Sequence, residues 1–250
     1  MARERLQKLM AAAGFCSRRR GEELLRQGRV RINGQRAQLG DQAEPGVDRI
    51  EIDGRPLAPP ATSLTLLLNK PLGVLSTCHD PHGRTTVLDL LPVELRRGYR
   101  RLGDPPDAAP GRGALLLSND GDLTLKLTHP RYGHGRTYHA WVRGRPEQSV
   151  LAQWRAGVPL DGQASQPVQL SVLEHDGDAT LLELVLREGR NRQIRRTAGL
   201  LGHPVLDLQR IAIGDLELAD LPEGRWRRVQ AGELVPEDGS APDTGRKPRP

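Results

Sequence analysis

Apolar residues recur at helical spacing near the start of the chain. Leu6, Leu9, Met10 and Ala13 share one face of a helix predicted over residues 3–13. Gly14 can end that helix, since glycine enters the left-handed conformation of a helix C-terminus without a Cβ penalty. Ser17 then stands at an N-cap, and residues 18–27 turn Leu24 and Leu25 toward a core. Gly28 stops this second helix. Residues 29–34 (Arg-Val-Arg-Ile-Asn-Gly) alternate polar and apolar, which predicts a strand entering an Asn33-Gly34 hairpin turn. A further strand is predicted over residues 48–52. Two helices and a hairpin make a module of about 50–60 residues. Pro56, Pro59 and Pro60 then break the pattern and read as a linker.

The pattern changes beyond residue 63. Residues 64–69 are a candidate buried strand, and 114–117, 138–142, 168–173 and 180–186 are further strand candidates. Helical stretches are predicted over 123–128 and 192–201. Strands and helices mix without a regular βαβα alternation, which argues α+β, not a doubly wound parallel sheet. Residues 238–250 are rich in Pro, Gly and charge and read as a disordered tail. The expected organisation is a small module over 1–60, a larger α+β domain over 61–237, and the tail.

Composition adds a partner. The 250 residues leave room for two modest domains and carry 37 Lys and Arg against 31 Asp and Glu, a net charge of +6. That excess is concentrated. Residues 1–36 hold ten basic and three acidic residues, while the remaining 214 hold 27 and 28. A second basic block, residues 187–196, has five arginines and one glutamate. Two separated clusters fit a protein that grips a phosphate backbone at two places. No apolar run approaches 18 residues, so no membrane helix is expected, and the first residues do not read as a signal peptide. Cys16 and Cys78 cannot form a disulfide framework, which points to a reducing cytoplasm. His79 and His82 lie near Cys78, but a fourth ligand is missing, so no metal is expected. There is no phosphate loop of Walker type and no GxGxxG after a strand. Seven aromatic residues are too few for a broad base-stacking platform.

Motifs sharpen this picture. Residues 5–34, with Gly14-Phe15-Cys16-Ser17-Arg18-Arg19-Arg20 and Gly28-Arg29-Val30 running into Asn33-Gly34, resemble the S4 RNA-binding module. Further on stand Leu68-Asn69-Lys70-Pro71-Leu72-Gly73, the Asp80-to-Pro92 segment, and Ser118-Asn119-Asp120-Gly121. Leu127-Thr128-His129-Pro130, Arg136-Thr137-Tyr138, Glu188-Gly189-Arg190-Asn191-Arg192-Gln193-Ile194-Arg195-Arg196, Gly202-His203-Pro204-Val205 and Arg210 with Ile213-Gly214 follow. In this order, over roughly residues 3–235, they resemble the ribosomal pseudouridine synthases that carry an N-terminal S4 module.

The resemblance implies a mixed, mostly antiparallel catalytic sheet behind an S4-like RNA-binding module. It also implies isomerisation of a uridine in ribosomal RNA to pseudouridine, with no cofactor and no metal. A carboxylate must act at the sugar C1′, as nucleophile or base, and the target nucleotide must leave its stack. Arg190 corresponds to the family's arginine beside the active site, where a forked guanidinium can pair with the aspartate and with phosphate. Tyr138 corresponds to the tyrosine that packs on the uracil. Lys70 either orders the pocket or is simply a strand-end lysine. Asn119-Asp120-Gly121 reads as a turn. Lys8, Arg18, Arg19, Arg29, Arg84, Arg192, Arg195 and Arg196 are candidate RNA contacts, with a loop salt bridge as the other reading of Arg84. The expected partner is ribosomal RNA or a ribosome assembly intermediate, met by a monomer in the cytoplasm.

The sequence departs from the family at one place. The Gly-Arg-Leu-Asp motif that carries the essential aspartate is absent, and the position five residues before Gly113 is Ala108. Asp107 lies one residue away, within reach of a single insertion near Pro110-Gly111, and Asp104 would need a larger loop. Two readings follow: an active synthase that uses Asp107, with Asp104 as the other candidate, or an RNA-binding protein that keeps the synthase fold and has lost catalysis.

Overall fold

The computed structural model describes residues 3–58, 63–77, 80–96, 100–102, 111–120, 123, 134–230 and 233. It divides into two compact units. The first comprises Met1–Leu64, Leu91–Arg100 and Ser118–Gly121; the second comprises Thr65–Leu90, Arg101–Leu117 and Asp122–Pro250. No described helix is long and apolar enough to cross a membrane.

In the first unit, helix α1 spans Leu6–Ala12. It starts later than apolar spacing alone predicts because Glu4–Arg5 form a short strand, β1, paired antiparallel with β4 (Gln42–Ala43). Gly14, at φ +72°, donates to the Ala11 carbonyl while Phe15 donates to that of Met10, closing the last turn. Helix α2 (Arg18–Arg26) begins where the Ser17 side chain accepts from the Arg20 amide at 3.1 Å. Strands β2 (Val30–Ile32) and β3 (Gln35–Arg36) meet at Asn33 and Gly34, both at positive φ, as the right-handed twist of a hairpin requires. Strand β5 (Ile50–Ile52) pairs with β2, and β6 (Arg55–Pro56) pairs with β5. Pro56 therefore closes an edge strand, where its missing N–H costs no ladder bond, and does not open a linker. Pro59 and Pro60 lie outside the described residues. Leu6, Met10, Leu24, Leu25, Val30 and Ile52 form the core, each contributing roughly 1.5–3 kcal/mol by burial.

The second unit is built on one large sheet. Its strands are β7 (Thr65–Lys70), β8 (Arg100–Leu102), β9 (Arg112–Ser118), β10 (Arg136–Arg143), β13 (Gln169–Asp176), β14 (Ala179–Leu186), β15 (Val205–Ile213), β16 (Leu216–Glu217) and β17 (Trp226–Val229). Their order is β13-β14-β10-β15-β9-β7-β17, with β16 on β15 and β8 on β9. The β13/β14, β10/β14, β10/β15 and β7/β17 ladders are antiparallel; β9 and β15 run parallel. This is the mixed, mostly antiparallel α+β architecture the sequence predicts.

Burial follows the sequence pattern. Strands β7 and β9 each carry three consecutive leucines and are buried along almost their whole length, as strands covered on both faces must be. Strand β14 alternates, burying Thr180, Leu182, Leu184 and Leu186. Helices α3 (Gln148–Ala156) and α4 (Gln193–Leu200) supply Leu151, Trp154, Ile194 and Ala198 to the same core. Between them, β11 (Pro159–Leu160) and β12 (Gln163–Ala164) form a two-stranded hairpin. Of the helix predicted over 123–128, only Leu123 is described, and the tail over 238–250 also lies outside the described residues.

Candidate active site and RNA contacts

Five residues meet at the start of β9. Lys70 ends β7 and is 3% exposed. Its Nζ donates to the carbonyl oxygens of Gly111 at 2.7 Å and Pro71 at 2.9 Å. Burial pulls this amine below the ordinary lysine range, opposed by attraction to Glu223. Gly113 sits at φ +105°, and a Cβ there would run into the carbonyl oxygen of Arg210, so only glycine lets β9 lie against β15. Arg112 holds Asp207 of β15 through two bonds, Nη2 to Oδ2 at 2.5 Å and Nε to Oδ1 at 3.2 Å. Arg210 is 1% exposed and donates from Nε to the Ala114 carbonyl at 2.7 Å. This buried guanidinium thus bonds from side chain to backbone across the β9/β15 pairing.

Asp207 is held below the ordinary carboxylate range. Hydrogen bonding from Arg112 is the main cause; burial opposes it, and the charges of Arg112 and Arg195 and the Leu208 amide assist. Arg195 is half-buried on α4. Tyr138 lies on β10 directly opposite Arg210 on one side and Leu184 on the other, beside a register shift at Thr137/Tyr138. Directly opposed residues of an antiparallel pair project to one face, so Tyr138 and Arg210 are side-chain neighbours. The ring is half-buried against the core that contains Ala140 and Leu184. The structure thus gathers Lys70, Tyr138 and Arg195 with Arg112, Asp207 and Arg210. The last three have no role legible in the sequence, although Arg210 stands in the segment that ends at Ile213-Gly214. Asp104 and Asp107 lie outside the described residues. Gly111, four residues after Asp107, is the described end of that stretch.

Arg190 has a different environment. Its Nε donates to Glu188 at 3.1 Å, Nη1 to the carbonyls of Leu160 (3.4 Å) and Gln163 (2.9 Å), and Nη2 to that of Ala164 at 2.6 Å. Three of its five N–H donors thus fasten the β11/β12 hairpin to the segment that leads into α4, and a fourth holds Glu188. The only carboxylate among its described partners is Glu188.

The candidate RNA contacts separate in the same way. Lys8 pairs with Glu4 at 3.0 Å, and Arg29 binds Asp53 through two bonds. Arg84 grips Asp80 at 2.7 and 3.1 Å in a loop salt bridge, and Arg196 grips Asp161 at 2.6 and 3.0 Å. Arg18, Arg19 and Arg192 are exposed and form no ion pair among the described residues. Arg192 adopts φ +50° at the N-terminus of α4. Asn119 accepts from the Leu64 amide at 2.8 Å through its side chain, and Asp120 accepts from Ser63 at 3.2 Å, the bonds of a turn that ties chain segments together. Cys78 and His79 lie outside the described residues.

Residues 4–48 match the family model of the S4 domain, and residues 64–199 match that of RNA pseudouridylate synthase. The chain is 36% identical over 239 residues to an uncharacterized RNA pseudouridine synthase of Aquifex aeolicus (strain VF5), covering 94% of each. It is also 36% identical over 234 residues to the ribosomal large subunit pseudouridine synthase B of Bacillus subtilis (strain 168), covering 92% of this chain and 94% of the relative. A crystal structure of a pseudouridylate synthase superimposes with a TM-score of 0.65 at 26% identity, covering 92% of this chain and 97% of the other.

Proposed function

Since the chain belongs to the RNA pseudouridylate synthase family and carries an S4 domain, it is an isomerase of uridine in RNA, and we propose that its substrate is one uridine of ribosomal RNA, in the large subunit. The observation that carries this reading is the similarity along almost the whole chain to a relative named for large-subunit ribosomal RNA. Relatives named as synthases favour an active enzyme over a binding protein that has lost catalysis. The substrate is met as free ribosomal RNA or within an assembly intermediate, by a monomer in the cytoplasm.

The reaction breaks the N1–C1′ bond, turns the uracil and forms a C5–C1′ bond. The proton on C5 is lost and N1 gains one, so atoms and electrons balance without an oxidant, cofactor or metal. Asp107 supplies the carboxylate at C1′, with Asp104 as the other candidate. Asp107 is favoured by its short distance along the chain from Gly111, whose carbonyl is anchored by Lys70. The Tyr138 ring stacks on the uracil of the flipped nucleotide, with its hydroxyl near C5. Arg210, bonded to the Ala114 carbonyl of β9, and Arg195, whose charge acts on Asp207, steady the carboxylate and the backbone phosphate. Arg190 serves the site indirectly, by holding the β11/β12 hairpin. Lys70 acts as a positioning residue. Arg18, Arg19 and Arg192 are the foremost phosphate contacts, because no carboxylate must be displaced from them.

The test is release of tritium from large-subunit ribosomal RNA labelled at uridine C5. Release by the wild-type chain, lost in Asp107→Asn, supports the assignment. Release that survives in Asp107→Asn and is lost in Asp104→Asn moves the carboxylate to Asp104.

A further inference from the structure

The corner between α1 and α2 holds an aromatic side chain that the fold does not use. Phe15 is the only phenylalanine of the chain. It follows the left-handed Gly14 and donates its amide to the Met10 carbonyl at 3.0 Å. A hydrophobic residue at this place ordinarily tucks against the residue whose carbonyl it caps, here Met10. Met10 is fully buried, yet Phe15 remains 51% exposed. The backbone on either side is fixed, by the closing turn of α1 before it and the Ser17 cap of α2 after it. An exposed aromatic on so constrained a corner loses little entropy when something stacks on it.

The charges around it select the occupant. Arg18 and Arg19, three and four residues on, are exposed and form no ion pair among the described residues. The neighbouring arginines of α2 are engaged within the helix, Arg20 with Glu23 at 2.7 Å and Arg26 with Glu22 at 3.7 Å. One apolar π-face beside two unpaired guanidinium groups matches a nucleotide whose base is out of its stack and whose flanking phosphates are within reach. An acidic protein would satisfy the arginines but would leave the ring in water. A regular RNA duplex would satisfy them and present no free base.

We propose that Phe15 is a stacking platform for a single unpaired base of the RNA, flanked by phosphates held by Arg18 and Arg19, so that the S4 domain recognises a loop or bulge and not only a charged backbone. This rests on the reading that the substrate is ribosomal RNA. It adds a second unpaired nucleotide, distinct from the uridine that is isomerised.

The test uses the full chain and large-subunit ribosomal RNA fragments, with Kd read by filter binding across a salt series. Phe15→Leu keeps apolar bulk without a π-face, and Phe15→Trp keeps the face. Leu is expected to weaken binding about tenfold without changing the slope of log Kd against log salt, because a stacked base releases no counterions. Trp is expected to bind at least as tightly as Phe. Arg18→Ala is expected to reduce the salt slope by about one contact. Abasic substitutions scanned through the RNA should find one position at which Phe15→Leu no longer matters. Binding by Phe15→Leu within twofold of wild type, at an unchanged melting temperature, overturns the proposal. So does equal weakening by Leu and Trp, which would mark the ring as scaffold. Failure of the wild-type chain to bind any ribosomal RNA fragment overturns the substrate reading, and this proposal with it.

Discussion

The Nζ of Lys70 stands 2.7 Å from the carbonyl oxygen of Gly111 in a buried setting, joining the end of β7 to the start of β9. Replacing the amine with an isosteric apolar chain leaves two carbonyls, of Gly111 and Pro71, without their donor. Lys70→Met is expected to cost about 1–3 kcal/mol in urea unfolding, offset in part by relief of the buried charge, and to lower turnover at saturating RNA. A variant with wild-type turnover would show that the contact does not position the residues before Gly111.

Gly113 makes a sharper demand on the same strand. Its φ of +105° and its contact with the Arg210 backbone leave no space for a methyl group. Gly113→Ala is expected to destabilise the second unit by roughly 3 kcal/mol, since β9 must move away from β15 or a strained backbone must be held. Urea unfolding measures this directly. A change below about 0.5 kcal/mol, the size of an ordinary surface substitution, would contradict the close approach of the two strands.

Arg190 and Arg192 stand two residues apart and are expected to behave in opposite ways. Arg190→Ala removes the donors of three backbone carbonyls, so a loss of about 2 kcal/mol in unfolding free energy is expected. Arg192→Ala removes an exposed side chain, with stability unchanged within about 0.5 kcal/mol and weaker, less salt-dependent RNA binding. An Arg190→Ala protein of wild-type stability and no activity would return Arg190 to the catalytic centre.

Asp80 provides a pH test. Side-chain hydrogen bonds from Arg84, then the Arg84 amide, lower its pKa from 3.8 to about 2. A carboxyl depressed in the folded state stabilises the fold fully above the unfolded value and loses that contribution as pH falls through the folded one. The carboxyl carbon of Asp80 is therefore expected to titrate near pH 2 in an NMR series, moving toward the ordinary value in Arg84→Ala. A wild-type midpoint near 3.8 would contradict the loop salt bridge.

Much of this fold is legible in local signals. Apolar spacing with Gly14 and the Ser17 cap announces α1 and α2, and Asn33-Gly34 announces the hairpin. Strands β7 and β9 read as strands because each is centred on consecutive leucines, residues 66–68 and 115–117. Strand β15 does not stand out, because Arg210 takes a buried position between Leu208 and Ala212 while Asp207 stands on the other face. Their partners, Arg112 and the Ala114 carbonyl, are about a hundred residues away in sequence. Helix α3 is short and turns only Leu151 and Trp154 inward. Arg190 carries a motif that suggests a carboxylate partner, whereas most of its acceptors are backbone carbonyls, which leave no trace in a sequence. Tyr138 and Lys70 stand in legible motifs, but their places opposite Arg210 and against the Gly111 carbonyl depend on strand pairing that the sequence does not show. The salt bridge of Arg84 with Asp80 is one of the two readings its loop allows, whereas the ion pairs that engage Lys8, Arg29 and Arg196 emerge only once the chain is folded.

The most direct test of ribosomal RNA isomerisation is to incubate the purified chain with large- and small-subunit ribosomal RNA from a strain lacking the activity, and to map pseudouridine at nucleotide resolution. The account predicts one new pseudouridine, in the large-subunit RNA, formed by the wild-type protein and absent with Asp107→Asn. No new pseudouridine in either RNA from the wild-type protein would contradict it.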